Sequence, residues 1–447
     1  MSRLFGTDGV RGVANKDLTA ELTLSLGSAA VRVLAAGLDH KPVAIIGRDT
    51  RASGEFLEDA LAAGMAAAGA TVIKVGIAPT PEVAYLVDAL KADLGAVISA
   101  SHNPMPDNGI KFFAAGGRKL ADSIEDAIED ALTGEFAAPI GKEIGRIVDN
   151  SAATSNYINH LLGSLDTRLD GIKVVVDTAN GAAFNTAPNA YRQAGATVFE
   201  IHSQPDGLNI NDNCGSTHMQ DLVAEVKKVG ADLGIAHDGD ADRCLAVDAD
   251  GNLIDGDQIL AILAIAMQES GKLINNTMVI TVMSNLGLRI AMKEYGINLI
   301  ETPVGDRHVL SAMEVGGYNL GGEQSGHVIL ADSATTGDGT LTALHLMQRM
   351  KQSSRTLSEL AAVMQRMPQV LINVSNVDRN LAASHPAILK AVDEQRDLLG
   401  AQGRILLRPS GTEPVVRVMV EAKTQDQANS IAERLVAVVR EVAALPA

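Results

Sequence analysis

Short apolar runs alternate with alanine-rich amphipathic stretches through roughly the first 350 residues of the chain. Runs such as residues 43–46 and 174–176 have the length of buried strands, and each leads through a polar loop into a stretch with helical composition. Alternation of this kind is typical of βαβ units and largely parallel sheets. The pattern therefore predicts an α/β fold for this part of the chain.

The α/β pattern repeats along the chain. The pentad AGATV occurs at residues 68–72 and 194–198, each time between a predicted helix and a strand, and a fainter third copy covers residues 279–300. We predict that a glycine ends a helix with positive φ in each copy, at Gly69, Gly195 and Gly296. We interpret the copies as three α/β domains of one kind, with chance reuse of a common helix-to-strand joint as the alternative.

The position of the polar loops in these copies has a functional implication. In each copy the loop after the first strand would lie at the carboxyl edge of its sheet, where open α/β sheets bind ligands.

The pattern changes after Met367, where strands are predicted at residues 370–374, 404–407 and 415–420 and a helix at 426–443. The predicted domains are a small C-terminal α+β domain and three α/β domains: residues 1–154, 155–255, 256–368 and 369–447.

Composition and charge exclude several classes of protein. Charged residues make up 20% of the chain and apolar residues 46%, as in a soluble globular protein. A net charge of -17 gives no electrostatic footprint for nucleic acid or an anionic membrane. The longest apolar run, residues 259–267, is too short to span a membrane. Two cysteines, Cys214 and Cys244, are too few for a disulfide framework, so we expect buried free thiols and a cytoplasmic location.

A polar loop, SASHNPMPDNG at residues 99–109, follows a predicted strand at 94–98. It presents hydroxyl groups at a turn that two prolines and the pair Asn108-Gly109 make rigid. Ser101 beside His102 does not indicate a serine hydrolase, because no Gly-x-Ser-x-Gly elbow surrounds the serine. Taken alone, the loop is either a candidate site at Ser101 or a rigid polar connection.

Three aspartates, Asp238, Asp240 and Asp242, alternate with small residues after a predicted strand at 233–236. Carboxylates this close need a cation, and oxygen ligands select Mg²⁺ or Ca²⁺. A calcium-binding EF-hand is disfavoured because Arg243 and Ala249 occupy the positions of its glycine and glutamate. We therefore predict a Mg²⁺ site that a phosphate oxygen completes, with a structural acidic turn as the alternative.

Two further loops could bind ligands. Residues 321–327, GGEQSGH, place hydrogen-bonding side chains between glycines that permit close approach. Residues 408–414, RPSGTEP, could cradle a phosphate or form a hairpin turn. Residues 64–71 have Walker A spacing but Ala70 in place of its lysine, and no GxGxxG follows a strand, so nucleotide and dinucleotide binding are not indicated.

These segments, in this order, resemble the α-D-phosphohexomutase superfamily over essentially the whole chain. The matching segments are FGTDGVRG at 5–12, SASHNP at 99–104, DNGIKFF at 107–113, DGDADR at 238–243, GEQSGH at 322–327 and RPSGTEP at 408–414. The resemblance implies three topologically related α/β domains with mixed sheets plus a small C-terminal α+β domain around a central cleft. The domains would carry, in chain order, the phosphoserine loop, the metal loop, the sugar-recognition loop and a phosphate-binding loop.

The resemblance also implies the roles of individual residues. Ser101 would be the phosphoserine, and its phosphate would bind Mg²⁺ together with Asp238, Asp240 and Asp242. Glu323 and Ser325 would bind sugar hydroxyls. The phosphate that is not transferred would be bound by Arg408, Ser410, Gly411 and Thr412. The reacting centre would be lined by Arg11, Lys111, Arg243 and His327.

Either Lys111 or His327 would act as the proton-transfer group. Neighbouring cations would have to lower the pKa of Lys111 from its ordinary value of about 10.4, whereas His327 needs little shift.

Gln324 and the opening motif resemble the branch that acts on glucosamine phosphates. The implied enzyme is an isomerase that interconverts glucosamine 6-phosphate and glucosamine 1-phosphate through glucosamine 1,6-bisphosphate, feeding UDP-N-acetylglucosamine and cell-wall synthesis.

Three alternatives to this function stay open. The chain could act on mannose or glucose phosphates, or be a Mg²⁺-dependent sugar phosphatase, which the pair Asp238-Gly-Asp240 suggests, or be a silent sugar-phosphate sensor. The expected partner is a small-molecule sugar phosphate, with neither nucleic acid nor membrane. A homodimer is a candidate assembly.

Overall fold

The computed structural model describes residues 3–6, 8–134, 136–409 and 415–445. The chain divides into two compact units, one formed by residues 1–283 and 297–363 and the other by residues 284–296 and 364–447. Among the described residues, no helix has both the length and the apolar character that a membrane span requires.

The first repeat contains a mixed sheet flanked by helices. Its strands are β1 (Val10–Val13), β2 (Val43–Arg48), β3 (Thr71–Ile77), β4 (Leu94–Ile98), β5 (Asp107–Ala114), β6 (Arg118–Lys119) and β7 (Ile147–Asp149). Its helices are α1 (Ala20–Leu34), α2 (Ser53–Ala67), α3 (Thr80–Ala89) and α4 (Asp122–Ala131). The strand order is β1-β5-β4-β2-β3-β7, with β6 paired to β5. Strands β3, β2 and β4 are parallel, and β5 is antiparallel to β4.

The second and third repeats have sheets of the same design. The second contains α5 (Thr154–Gly163), β8 (Lys173–Asp177), α6 (Thr186–Ala194), β9 (Thr197–Ile201), α7 (Gln220–Val229), β10 (Leu233–Ala236), β11 (Leu245–Asp248) and β12 (Leu253–Ile254). The third contains α8 (Gly256–Glu269), β13 (Thr277–Thr281), α9 (Leu286–Glu294), β14 (Asn298–Thr302), α10 (Asp306–Gly316), β15 (Leu320–Gly322), β16 (Val328–Leu330), α11 (Gly339–Ser353) and α12 (Leu357–Ala361). Their strand orders are β12-β11-β10-β8-β9 and β14-β13-β15-β16.

One topology is common to the three sheets. Counted from β2, β8 and β13, the second, first and third strands of each repeat lie side by side in parallel, and the fourth strand pairs antiparallel with the third. The predicted repeat is therefore confirmed. The three glycines predicted to end helices have φ values of +102° at Gly69, +111° at Gly195 and +68° at Gly296, as expected.

This topology determines where the candidate loops lie. The serine loop joins β4 to β5, the aspartate loop joins β10 to β11, and the GEQSGH loop joins β15 to β16. Each loop thus connects two adjacent strands of its own sheet that run antiparallel. The loop after the first strand contains the same local turn in each repeat, in which a side-chain oxygen accepts the backbone N–H two residues later: Asp49 to Arg51, Asp177 to Ala179 and Asn285 to Gly287.

The apolar run at residues 259–267 lies in α8, where Ile259, Leu260, Ile262, Leu263 and Ile265 are all buried. A helix that is apolar on every side belongs in a protein core, which accounts for the run without a membrane. Cys214 and Cys244 are buried and free, as predicted.

The second unit contains the C-terminal α+β domain. Its elements include β17 (Gln369–Ser375), α13 (Arg379–Ser384), α14 (Pro386–Leu399), β18 (Arg404–Pro409), β19 (Val415–Glu421) and α15 (Gln425–Ala443). The antiparallel order is β17-β19-β18, and valines of β17 and β19 pack against α15. The predicted strands and helix are all present.

Candidate active site

The serine loop brings a buried hydroxyl to the aspartate loop of the second repeat. Ser101 follows β4 and is only 2% exposed, and its φ of +52° lies in the left-handed region. Its Oγ donates a hydrogen bond to Asp238 Oδ2 at 2.6 Å, across 137 residues of sequence. The Nδ1 atom of His102 lies 3.3 Å from the same hydroxyl. The serine and aspartate motifs therefore form one site.

The aspartate loop provides a set of oxygens that fits a hard cation. Asp238, Asp240 and Asp242 are buried, and one carboxylate oxygen from each lies within 4.8 Å of the others. Asp240 Oδ1 and Asp242 Oδ1 are buried without a hydrogen-bond partner. Burial and the neighbouring carboxylates of Asp242 and Asp240 raise the pKa of Asp238 to about 8. Mutual repulsion and two unpaired oxygens are what a bound divalent cation would relieve.

A second group of possible ligands, Asp177, His202 and Cys214, differs in this respect. Asp177 Oδ1 accepts the backbone N–H of Ala179, and its Oδ2 accepts the N–H of Gly215 and faces His202 Nδ1, each at 2.9 Å. Both carboxylate oxygens are therefore satisfied without a cation. Of the two groups among the described residues, the aspartate loop is the better candidate metal centre.

Lys111 lies among carboxylates. Its Nζ is 2.8 Å from Asp8 Oδ2, 3.2 Å from Asp240 Oδ2 and 3.7 Å from Asp242 Oδ2. Burial alone would lower the pKa of Lys111, but these three carboxylates outweigh it and raise the pKa above its usual range. A lysine that acts as a base must be neutral, which requires neighbouring cations that lower its pKa. Around Lys111 the carboxylates prevail and raise the pKa instead.

His327 and two arginines complete the centre. His327 Nε2 accepts the backbone N–H of Gly337 at 3.2 Å, so the ring hydrogen lies on Nδ1, which is 3.5 Å from Asp242 Oδ2. Arg243 Nε is 3.8 Å from both Asp238 and Asp242, and Arg11 donates to Asp8 at 2.6 Å. The two arginines bring positive charge to the cavity that Ser101 lines.

The GEQSGH loop brings polar side chains to the same cavity. Glu323 Oε1 accepts the N–H of Gly305 at 3.0 Å, and Ser325 Oγ donates to the other carboxylate oxygen at 3.4 Å. Gln324 turns toward α8, where its amide donates to Asp257 Oδ2 at 3.1 Å. Gln324 therefore supports the loop rather than lining the cavity.

A cavity of about 370 Å³ collects most of these side chains. Six of the residues predicted to act in the site line it together: Arg11, Ser101, Asp242, Arg243, Glu323 and His327. Sequence reasoning gave no role to Asp8, which bridges Arg11, Lys111 and Lys119, or to Asp306, which pairs with Lys119. Asp8 lies within the FGTDGVRG motif, and Asp306 follows a glycine at the start of α10. An aspartate beside a glycine in a short polar turn is the sequence signal that could have identified both residues.

The proposed phosphate loop is described only in part. Arg408 lies on β18 opposite Arg417 of β19, and burial together with Arg417 lowers the pKa of Arg408. Two arginines directly across a strand pair repel each other, an arrangement that an anion would stabilise. Ser410, Gly411 and Thr412 lie outside the described residues.

Comparison with known proteins agrees with this geometry. Models of the phosphoglucomutase/phosphomannomutase family match four segments: alpha/beta/alpha domain I at residues 2–139, domain II at 155–251, domain III at 255–367 and the C-terminal domain at 371–438. A phosphoglucosamine mutase of Thermobifida fusca is 58% identical over 443 residues, which cover 99% of each chain.

Solved structures share the fold. A phosphoglucomutase/phosphomannomutase family protein of Burkholderia thailandensis has a TM-score of 0.82 at 25% identity, covering 99% of this chain and 98% of its own. The N-acetylphosphoglucosamine mutase of Aspergillus fumigatus, solved with GlcNAc-6P and magnesium, has a TM-score of 0.68 at 16% identity, covering 98% and 95%. With four family domains matched in order and a full-length relative at this identity, the chain belongs to the phosphoglucosamine mutases of the phosphoglucomutase/phosphomannomutase family.

Proposed function

We propose that this protein interconverts glucosamine 6-phosphate and glucosamine 1-phosphate with Ser101 as the phosphoryl carrier. One observation carries the proposal: Ser101 Oγ donates to Asp238 at 2.6 Å, within a buried group of three carboxylates whose all-oxygen ligand set suits a divalent cation. A hydroxyl held there can carry a phosphate whose charge is neutralised as it forms and breaks. The substrate follows from the 58% identity with a phosphoglucosamine mutase.

Asp238, Asp240 and Asp242 would hold Mg²⁺ together with a phosphate oxygen on Ser101. The bound ion would supply positive charge that stabilises the transferring phosphoryl group. The unpaired oxygens of Asp240 and Asp242 support this assignment, as does the all-oxygen ligand set. The Aspergillus fumigatus relative was solved with magnesium, which is consistent with the same choice of ion.

The transfer is an exchange of oxygen–phosphorus bonds. The bond between Ser101 Oγ and phosphorus breaks as a hydroxyl of the sugar monophosphate forms a new bond to that phosphorus, and its proton leaves to a base. Glucosamine 1,6-bisphosphate results, turns over, and returns its other phosphoryl group to Ser101. Arg11, Lys111 and Arg243 would neutralise the charge that develops.

The base is one of two candidates, and their surroundings differ. Three carboxylates surround Lys111, which favours its charged form, so it suits charge neutralisation better than proton abstraction. His327 Nε2 would be free to take the proton of a sugar hydroxyl that displaced the N–H of Gly337. We therefore assign the base to His327 and the cationic role to Lys111.

Substrate binding would use the remaining predicted residues. Glu323 and Ser325 would bind sugar hydroxyls. Glu323 lines the cavity and is oriented by the N–H of Gly305, and Ser325 donates to Glu323. The phosphate that is not transferred would bind the loop of Arg408, Ser410, Gly411 and Thr412.

The proposed location is the cytoplasm. The buried, free cysteines fit its reducing conditions.

The test follows the sugar and the enzyme-bound phosphate together. Purified protein with Mg²⁺ and a trace of sugar bisphosphate should convert glucosamine 6-phosphate to the 1-phosphate, as measured by ³¹P NMR. Mass spectrometry should find one phosphate on the peptide that contains Ser101. Ser101→Ala should lose both signals while it keeps the melting temperature, and retention of most activity by this variant would refute the carrier role.

The same experiment separates the alternatives. Faster turnover of mannose or glucose phosphates would change the substrate but keep the enzyme class. Steady release of inorganic phosphate without isomerised sugar would indicate a phosphatase. Binding without exchange of label between Ser101 and the sugar would indicate a sensor.

A further inference from the structure

Ser101 has a backbone conformation that its surroundings must maintain. Its φ of +52° lies in the left-handed region, which residues with a side chain rarely adopt. A conformation of this kind persists only when neighbouring contacts impose it. Most of the contacts that do so come from residues outside the four loops described above, and one comes from Ser99 of the serine loop itself.

Arg51 holds the two carbonyl groups on the exit side of the serine. Its side chain is 0% exposed, although arginine is among the residues least often buried. Nη2 donates to the carbonyl oxygen of Ser101 at 3.2 Å and to that of Asn103 at 2.6 Å. One guanidinium nitrogen thus fixes the direction of two peptide groups in the serine loop.

Asp49 orients Arg51 and also reaches the entry side of the serine. Its Oδ2 pairs with Arg51 Nη1 and accepts the hydroxyl of Ser99 at 2.6 Å. Ser99 Oγ in turn accepts the backbone N–H of Ser101 at 2.9 Å. Hydrogen bonds from both peptide groups that flank Ser101 therefore converge on one buried ion pair.

Asn211, from the second repeat, donates hydrogen bonds to the same two carbonyls. Its Nδ2 donates to Ser101 O at 2.8 Å and to Asn103 O at 3.0 Å. Its backbone N–H donates to Ala179 O at 2.9 Å, which anchors it beside the first loop of that repeat. The serine loop is therefore held from its own sheet and from the sheet that carries the metal loop.

We infer that Arg51, oriented by Asp49 and assisted by Asn211, is a positioning residue for phosphoryl transfer. It keeps the Ser101 backbone in the left-handed conformation that directs Oγ to Asp238. None of the three residues lines the cavity, so they act through Ser101 and not on the sugar. The inference rests on the proposed role of Ser101 as phosphoryl carrier.

Arg51→Lys tests the inference with a matched control. Lysine keeps the charge for Asp49, but its single nitrogen cannot serve the carboxylate and two carbonyls in the planar geometry of a guanidinium. We expect kcat to fall about 10- to 100-fold, because a misplacement of about 1 Å can cost that much, while KM changes less than about twofold. Arg168→Lys is the control because Arg168 is exposed and donates to Asp170 and to the carbonyl of Gln193, so it should stay near wild-type activity.

Asn211→Asp tests the hydrogen bonds from Asn211 to the serine loop without leaving a cavity. Aspartate keeps the shape and tolerates the left-handed φ of +57°, but it replaces the donor with an oxygen that repels both carbonyls. We expect kcat to fall about tenfold. Asn213→Asp is the control, since Asn213 has a φ of +51° and is exposed, and its amide contacts Asp212.

Hydrogen exchange separates this inference from the proposed function. Arg51→Lys and Asn211→Asp should speed amide exchange in the peptide covering residues 99–109, whereas the two controls should not. Unchanged exchange and unchanged kcat in both variants would overturn the positioning role. A wild-type protein without mutase activity would refute the proposed function, yet the exchange result would still decide whether Arg51 holds the loop.

Discussion

Gly239 of the aspartate loop lies directly against the serine loop, and its replacement by alanine gives a defined perturbation. A Cβ at this position would meet Ser101 O at 2.5 Å, Asn211 Nδ2 at 2.9 Å and Ile210 Cδ1 at 2.9 Å. The φ of Gly239 lies outside the left-handed region, so alanine adds bulk without backbone strain. The effect of Gly239→Ala is therefore steric.

The magnitude follows from the contact. Because Cβ atoms essentially never approach a heavy atom closer than 3.0 Å, the Ser101 carbonyl and the metal loop must separate by about 0.5 Å. A shift of that size should lower kcat about 10- to 100-fold, or about 1.4 to 2.7 kcal/mol of transition-state stabilisation. Overpacking should lower the free energy of unfolding by about 1 to 3 kcal/mol.

Steady-state kinetics with glucosamine 6-phosphate, together with urea unfolding, would measure both effects. Gly163→Ala is the matched control, because a Cβ there meets no atom within 4 Å at the end of α5. It should leave kcat unchanged and should not destabilise the helix. If Gly239→Ala keeps kcat within about twofold of wild type, close approach of the two loops is not required and the reasoning fails.

Three further predictions concern the metal loop and a buried acid. Asp240→Asn should abolish the rise in melting temperature that Mg²⁺ produces, whereas exposed Asp250→Asn should keep it; calorimetry with and without Mg²⁺ decides. Thr80 Oγ1 donates to Asp240 Oδ2 at 2.7 Å, so Thr80→Val should weaken Mg²⁺ binding about 10- to 100-fold in titration calorimetry and Thr80→Ser should not. Burial raises the pKa of Glu82 to about 7 from 4.5, so the folded protein keeps a proton that the unfolded chain loses, and stability should fall as pH rises across that interval. Urea unfolding at pH 5 and pH 8 should show a smaller fall for Glu82→Gln; an equal fall would contradict the assignment.

The sequence alone was sufficient to predict the elements and their repetition. Strands β4 and β10 begin and end where their apolar runs do, because a strand buried on both faces must be continuously apolar. The helix-ending glycines were predictable because few other residues adopt positive φ without strain. These are local properties, and local sequence expresses them directly.

The predicted location of the ligand loops was incomplete. Sequence reasoning emphasised the loop after the first strand of each repeat, whereas the motif loops follow the third strand. Both loops lie at the same sheet edge, because the first and third strands are parallel neighbours. The pairing of strands decides this, and pairing depends on contacts that no short window of sequence contains.

The predicted metal ligands illustrate what the sequence could specify about the site. Asp238, Asp240 and Asp242 alternate along five residues, so their mutual repulsion and preference for a hard cation follow from spacing alone. The loop that contains Ser101 was ambiguous by the same reasoning, since a rigid polar turn has the same composition.

Only the tertiary structure brought Ser101 to Asp238 across 137 residues and surrounded Lys111 with carboxylates from two repeats. It also buried Arg51 against the serine loop, a role that its sequence context did not suggest. The physical reason is that residue types and short spacings determine which chemistry a side chain can perform. The charge and hydrogen bonds around it come from distant segments, which meet only when the sheets have formed and packed.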